Sequence, residues 1–136
     1  MGYKLSNEQV NELFQNLKKD YRIFAPKRFK KQGRYSDTDI IRYDEVDMVE
    51  DIVYKEKSHY SAKEVLTPIN QTIFYFTEDE FKESKLKDNR GILIFLRPCD
   101  INAIERQDKI YLENGFEDFF YKRIRDKVKF IMMECV

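Results

Sequence analysis

At 136 residues, 42% of them hydrophobic, the chain has the length of one domain and can bury a core, and its 9 Tyr and 11 Phe argue against disorder. Its 25 Lys and Arg balance 25 Asp and Glu, and this zero formal net charge argues against a general nucleic-acid or membrane-surface binder, which needs a cationic excess. No apolar run reaches the about 20 residues needed to span a bilayer, and no signal peptide is recognisable. With only two cysteines as well, we expect a cytoplasmic protein whose cysteines are free thiols or metal ligands.

The first elements are predicted from a helix cap and from apolar spacing. Ser6 and Gln9 have the spacing of a capping box, and the apolar residues after them predict a helix to about Lys19. A strand is predicted over 21–26, ended by its proline. The stretch 27–34 is predicted to be a basic loop, which could attract an anionic cofactor or an acidic partner, although a solvated loop is the simpler interpretation.

The middle of the chain gives weaker signals. Weak alternation predicts a strand over 35–43, whereas 45–56 is compatible with a short helix or a strand. A second capping box at 61–64 predicts a short helix that ends before Pro68, and a strand is predicted over 72–76. Threonine and acidic residues at the start of 77–85 predict one more short helix there.

The clearest unit is the last third of the chain, where a strand over 91–96 is apolar on both faces. Asp100 is predicted to cap a helix over 101–114, and Gly115 to end it. A helical segment over 117–126 and a strand over 128–133 follow, so the connection is a parallel βαβ crossover. We therefore expect an α/β fold, a mixed sheet with a parallel βαβ unit over 91–135 flanked by helices. An α+β outline would result if 35–43 and 45–56 pair away from that sheet.

Both cysteines follow the ends of predicted parallel strands. In an open parallel sheet, ligands bind outside the carboxyl ends of the strands, and Cys99 and Cys135 are both placed there. The predicted helix start beside Cys99 and the nearby cation Arg97 favour the thiolate form. Three interpretations remain open: a metal or iron–sulfur site completed by ligands beyond Val136, a redox or nucleophilic thiol, or two small buried residues. The third is the default, since free cysteine is commonly buried and two cysteines are too few for a closed site.

Other catalytic patterns are missing from the sequence. The single histidine, His59, lies in a polar connecting stretch without a partner at motif spacing, and is interpreted as an exposed or hydrogen-bonded loop residue. With four glycines in all, the chain has no glycine-rich phosphate loop, which counts against a nucleotide- or flavin-binding domain. We find no enzyme active site that these residues complete by themselves.

The residues nevertheless carry a family pattern. Its segments are Phe24-Ala25-Pro26, residues 61–68 with 73–76, residues 96–104 with Asp108, and the strand into Glu134-Cys135. With these, the chain resembles the amino-terminal part of the iron–sulfur subunit of anaerobic sulfite reductase and, more broadly, the beta subunit of cytoplasmic sulfhydrogenase-type hydrogenases. The likeness covers nearly all of the chain, and the Arg-Pro-Cys-Asp segment after an apolar strand is its most specific part.

The resemblance implies an iron–sulfur electron-transfer subunit of a cytoplasmic oxidoreductase complex. Members of the family continue into four-cysteine motifs that bind 4Fe–4S clusters. They relay electrons from a flavin- and NADH-binding reductase subunit to a catalytic subunit, which in sulfite reductase carries sirohaem and reduces sulfite to sulfide. On this resemblance, residues 1–136 are a single domain, the amino-terminal fragment of a longer subunit. The fragment is expected to hold no complete cluster and to be inactive alone.

The resemblance also bears on the site residues. Cys99 and Cys135 match cysteines of the family pattern, and their shared sheet edge makes them candidate iron–sulfur ligands of an incomplete metal site, with Arg97 and Asp100 supporting them. The alternative is a protein–protein docking module of a related hydrogenase beta subunit, with no redox group of its own. Neither interpretation involves nucleic acid or a membrane.

Overall fold

The structure, a computed structural model, describes residues 2–85 and 88–134. Within these ranges the helices are α1 (Asn7–Leu17), α2 (Lys63–Leu66), α3 (Pro98–Leu112) and α4 (Phe119–Arg125), with a short 3-10 helix at Val49–Asp51. The strands are β1 (Tyr21–Phe29), β2 (Ile40–Glu45), β3 (Phe74–Phe76), β4 (Phe81–Glu83), β5 (Gly91–Leu96) and β6 (Val128–Met132). None of the helices in the described ranges has the length and apolar character of a membrane crossing.

Four of these strands form one mixed sheet in the order β2-β1-β5-β6. β5 lies parallel to both β1 and β6, while β2 runs antiparallel to β1 at the edge. The predicted α/β class and the parallel crossover from β5 to β6 are confirmed. β2 belongs to this same sheet, so the segment predicted as a strand over 35–43 does not pair elsewhere.

Helices cover both faces of the sheet, which explains why β5 reads as a continuous apolar run. Successive strand residues point to opposite faces. Ile94 accordingly packs in a core with residues of α2, α3 and α4, and Leu93 packs in a second core with Phe14 of α1. The capping box of α1 is confirmed, since Ser6 and Gln9 exchange backbone-to-side-chain hydrogen bonds of 2.9 and 3.3 Å. α1 ends at Leu17, two residues earlier than predicted.

The proline predicted to end the first strand lies inside β1 instead. β1 pairs with β5 only as far as Phe24. Pro26, which has no N–H, therefore interrupts no hydrogen bond between these two strands. The Pro26 carbonyl accepts a 2.8 Å hydrogen bond from Val53. The prediction of a basic loop over 27–34 is wrong for its first three residues, which extend β1 to Phe29.

The segments between β2 and β5 differ most from the predictions. β2 begins at Ile40, and the stretch 35–39 is a turn rather than a strand. The ambiguous stretch 45–56 forms the 3-10 helix and one isolated bridge from Ile52 to β1. The helix predicted over 77–85 is wrong, since 81–83 is β4, which pairs antiparallel with β3.

Two predicted helix caps are also wrong. α2 ends before Pro68 as predicted, but its N-cap is Ala62; Ser61, the predicted cap, lies one residue earlier and its side chain accepts a 3.2 Å hydrogen bond from the Lys63 N–H. α3 starts three residues before the predicted position, because Pro98, which is well suited to the first helical turn, opens it after Arg97. Asp100 is consequently the third residue of the helix rather than its cap. α3 ends at Leu112 with Glu113 as its C-cap, two residues earlier than predicted, and Gly115 lies beyond the cap with a positive φ of 98°.

Candidate functional site

The Arg-Pro-Cys-Asp segment lies at the carboxyl edge of the sheet, where β5 turns into α3. β5 ends at Leu96, Arg97 is extended with φ −79° and ψ 157°, and Pro98 begins the helix. Cys99 is the second helical residue and is exposed. The interpretation of Cys99 as a small buried residue is therefore wrong. An exposed thiol in the first turn of α3 is free to meet a ligand or a partner, and the positive end of the helix dipole favours negative charge there.

Arg97 ties a second segment of the chain to this edge. Its guanidinium donates hydrogen bonds of 3.0 Å to the backbone carbonyl oxygens of Tyr54 and of Glu56. Carbonyl oxygens carry no net charge, and Arg97 makes no ion pair within the described residues. Arg97 thus holds the segment after β2 over the end of β5, and its cation and the Asp100 carboxylate both line the pocket beside Cys99.

Tyr43 supplies the buried floor beneath the segment. Its side chain comes from β2 and is 8% exposed. Burial, and next the negative charge of Asp100, raise the pKa of the Tyr43 phenol well above its ordinary value. Tyr43 therefore stays neutral in the physiological pH range and provides a polar but uncharged wall.

A pocket of about 230 Å³ opens next to Cys99. Its walls combine the Arg97–Asp100 turn with the segment after β2: Pro26, Tyr43, Glu56, Lys57, Ser58, His59, Tyr60, Ser61, Arg97, Cys99 and Asp100. Pockets for drug-sized ligands and cofactors have volumes of about 300–1,000 Å³. This pocket is thus small for a flavin or a dinucleotide, in agreement with the missing glycine-rich loop.

His59 forms part of the wall and is engaged in structure. Its ring Nδ1 accepts a 3.0 Å hydrogen bond from the backbone N–H of Ile41, and the backbone N–H of His59 donates to the Ile41 carbonyl at 2.7 Å. Ser58 Oγ donates to the same carbonyl at 3.1 Å. The interpretation of His59 as a hydrogen-bonded connecting residue is confirmed.

The donor set of the described residues does not complete a metal site. No group of three or more His, Cys, Asp or Glu within residues 2–85 and 88–134 could hold a metal ion. Cys99 is the thiol that the structure places at this edge, and Cys135 lies outside the described residues. A cluster at Cys99 would therefore take its remaining ligands from elsewhere.

The structure brings Arg97, Cys99 and Asp100 together as predicted, around one pocket. Sequence reasoning missed Tyr43 and the carbonyl oxygens of Tyr54 and Glu56. No local pattern marks these groups, because they reach the site through strand pairing and a long connection. The one available signal was the alternation in β2, which places Ile41 and Tyr43 on the same, buried face.

Comparison with known proteins gives a distant relative. The chain is 26% identical over 133 residues to the sulfhydrogenase 2 subunit beta of Pyrococcus furiosus. The match covers 98% of this chain but 37% of the relative, so the chain spans little more than a third of that protein's length. No protein family profile and no solved structure matches this chain. The likeness supports the relation to hydrogenase beta subunits and does not single out anaerobic sulfite reductase.

Proposed function

We propose that this chain is a domain of an electron-transfer subunit in a cytoplasmic oxidoreductase complex of the hydrogenase-beta type. The observation that carries the proposal is the exposed Cys99 at the carboxyl edge of the parallel sheet. The chain around it is similar to a sulfhydrogenase beta subunit over 98% of its length. This edge is where open α/β sheets bind their ligands.

In this proposal Cys99 is one ligand of an iron–sulfur cluster in the complete subunit. Cys99 is exposed and accessible to a ligand, Arg97 holds the neighbouring segment in place, and Asp100 and Tyr43 shape the polar wall beside the thiol. Cys135 is proposed as a second ligand, since β6 runs parallel to β5 and ends at the same edge. The remaining ligands come from outside the described residues. When bound, a 4Fe–4S cluster supplies one-electron transfer.

The catalytic partner is the finer part of the proposal. Similarity to the sulfhydrogenase subunit favours a hydrogenase, in which the chain lies between the catalytic subunit and a subunit that binds flavin and NADH. The second candidate is anaerobic sulfite reductase with its sirohaem subunit, favoured by the sequence over 96–104 followed by Asp108. Anaerobic purification of the tagged complete subunit, followed by hydrogen-dependent and sulfite-dependent assays with viologen dye, separates them. Activity with sulfite alone selects the second candidate.

A docking module without a redox group is the alternative within the same complex. It is favoured by the incomplete donor set of the described residues. The test is co-purification of the partner subunits with the complete subunit carrying Cys99→Ser and Cys135→Ser. If assembly, iron content and electron transfer are all unchanged, the docking module is correct. Intact assembly with lost iron and lost electron transfer supports the cluster-ligand proposal.

A further inference from the structure

A cluster of cations lies at the edge of the Cys99 pocket, and one of them, Lys57, also lines that pocket. We define the basic rim as five exposed side chains: Lys30, Lys31, Arg34, Lys55 and Lys57. None of the five makes an ion pair with any residue in the described ranges. A chain with zero formal net charge therefore presents a local cationic excess at this end.

The fold brings the two parts of the rim together. The first part is the turn between β1 and β2, which are paired as far as Phe29 and Ile40. The second part is the segment 55–57, which Arg28 joins to that turn by pairing with both Asp39 and Glu56. Arg28, with one positive charge, offsets one of these two carboxylates, and Asp37 is the one other acid within the turn, so these acids leave part of the positive charge of the five rim side chains unbalanced.

The turn is held in shape before any partner binds. The Lys31 N–H donates to Asp39 at 3.0 Å, and this bond, with Arg28, lowers the pKa of the Asp39 carboxyl. The Gly33 N–H donates a 2.9 Å hydrogen bond to the Thr38 carbonyl. A Cβ atom on residue 33 would lie 2.3 Å from Thr38 Oγ1, so this close approach requires glycine. A fixed surface loses less conformational entropy on binding, which favours association.

The rim is continuous with the Cys99 pocket. His59 and Tyr60 line that pocket and also the groove along the turn that contains Arg34. Exposed tyrosines border the rim, with Tyr35 66%, Tyr54 43% and Tyr60 48% exposed. Tyrosine is enriched in protein–protein interfaces, and uncompensated cations accelerate encounter with acidic surfaces.

We propose that the basic rim is the docking surface for an acidic face of a partner protein, adjacent to Cys99. The identity of this partner as an electron donor or acceptor rests on the proposed function; the charge-driven docking does not. Nucleic acid is disfavoured because the cationic patch is small and the chain has no net positive charge to hold a phosphate backbone.

The test uses the 136-residue chain and a fluorescent peptide of about ten glutamates, followed by fluorescence anisotropy at low and at physiological salt. Two variants each reverse two rim charges, K30E/R34E in the turn and K55E/K57E in the segment. K4E/K109E is the matched control, because Lys4 and Lys109 are exposed, outside the rim and without ion pairs in the described ranges. Circular dichroism establishes that all three variants fold.

We expect each rim variant to weaken peptide binding about tenfold or more, the control to change it less than about twofold, and salt to weaken wild-type binding. The proposal is overturned if the control loses as much affinity for the peptide as the rim variants do. It is also overturned if the chain binds duplex DNA more tightly than the peptide and the rim variants weaken that DNA binding. The K30E/R34E variant of the complete subunit, whose two positions lie outside the Cys99 pocket, is expected to keep its iron. Loss of docking with unchanged iron therefore separates this inference from the cluster at Cys99.

Discussion

The Met133 N–H donates a 2.7 Å hydrogen bond to the Leu96 carbonyl, one residue beyond the last pair of β5 and β6. The two parallel strands thus end side by side: β5 ends at Leu96, directly before Arg97, and β6 ends at Met132, three residues before Cys135 in the sequence. This pairing is the structural basis for treating the two strand ends as parts of one site.

Arg97 is expected to stabilise the fold through its two carbonyl contacts. Replacing Arg97 by Ala removes both hydrogen bonds to the segment after β2, which should lower the free energy of unfolding by about 1–2 kcal/mol. Urea denaturation of the chain measures this. Arg106→Ala is the control, since Arg106 is exposed on α3, and it should change stability by less than about 0.5 kcal/mol. Equal effects of the two substitutions would contradict the assigned role of Arg97.

Tyr43 and Tyr121 should make the fold sensitive to alkaline pH. Burial raises the pKa of both phenols, with Asp100 adding to the effect at Tyr43 and Asp108 at Tyr121. The folded chain therefore keeps these protons at pH values where the unfolded chain, with phenol pKa values of about 10, has lost them. Their contribution to stability is complete below about pH 10 and is lost as the pH rises further.

The measurement is the unfolding temperature between about pH 8 and pH 11 for the wild type, Tyr43→Phe and Tyr60→Phe. The decline above about pH 10 should be shallower in Tyr43→Phe, which has no proton to lose at that position. Tyr60 is exposed and serves as the control, so its variant should follow the wild type. Identical slopes in all three proteins would show that Tyr43 is not buried as described.

Gly33 should be required for the shape of the basic rim. A Cβ at this position would lie 2.3 Å from Thr38 Oγ1 and 2.8 Å from the Thr38 carbonyl oxygen, so the turn must open. Gly33→Ala is expected to destabilise the chain by about 1–3 kcal/mol and to weaken binding of the glutamate peptide. Gly2→Ala, at a site with nothing within 4 Å, is the matched control for thermal unfolding and for binding. Wild-type behaviour of the Gly33 variant would argue against a preformed rim.

Cys99 should be reactive in the folded chain because its side chain is exposed. In a Cys135→Ser variant, we expect the remaining thiol to react with a chromogenic disulfide reagent without denaturant, at a rate close to that in urea. The Cys99→Ser/Cys135→Ser chain sets the background. A thiol that reacts only after unfolding would remove the basis for a ligand at this edge.

Local signals identified the elements that depend on local physics. The Ser6 and Gln9 cap and the apolar run of β5 were predicted correctly, because each depends on neighbouring residues or on burial of both faces. The helix predicted over 77–85, by contrast, was wrong. Thr77 does accept the Glu80 N–H through its side chain, as a helix cap would, but the bond here closes a turn between β3 and β4.

Long-range packing decided that turn and also the site. The ring of Phe74 in β3 lies 4.8 Å from that of Phe81 in β4 and 6.0 Å from that of Phe120 in α4. The contact with Phe120 joins elements far apart in sequence, and together with the pairing of β3 and β4 it outweighs the local helix signal. Tyr43 reaches the neighbourhood of Asp100 in the same way, through the sheet order, so the motif predicted the edge and the thiol but not the walls of the pocket.

The most direct test of a cluster ligand at Cys99 is the iron content and reduced-state electron paramagnetic resonance spectrum of the complete subunit with Cys99→Ser, purified without oxygen. Ser61→Ala is the control, since Ser61 lines the same pocket and has no thiol. We predict about one cluster fewer per subunit, or a changed spectrum, in Cys99→Ser and wild-type values in Ser61→Ala. Wild-type iron and an unchanged spectrum in Cys99→Ser would contradict the ligand role.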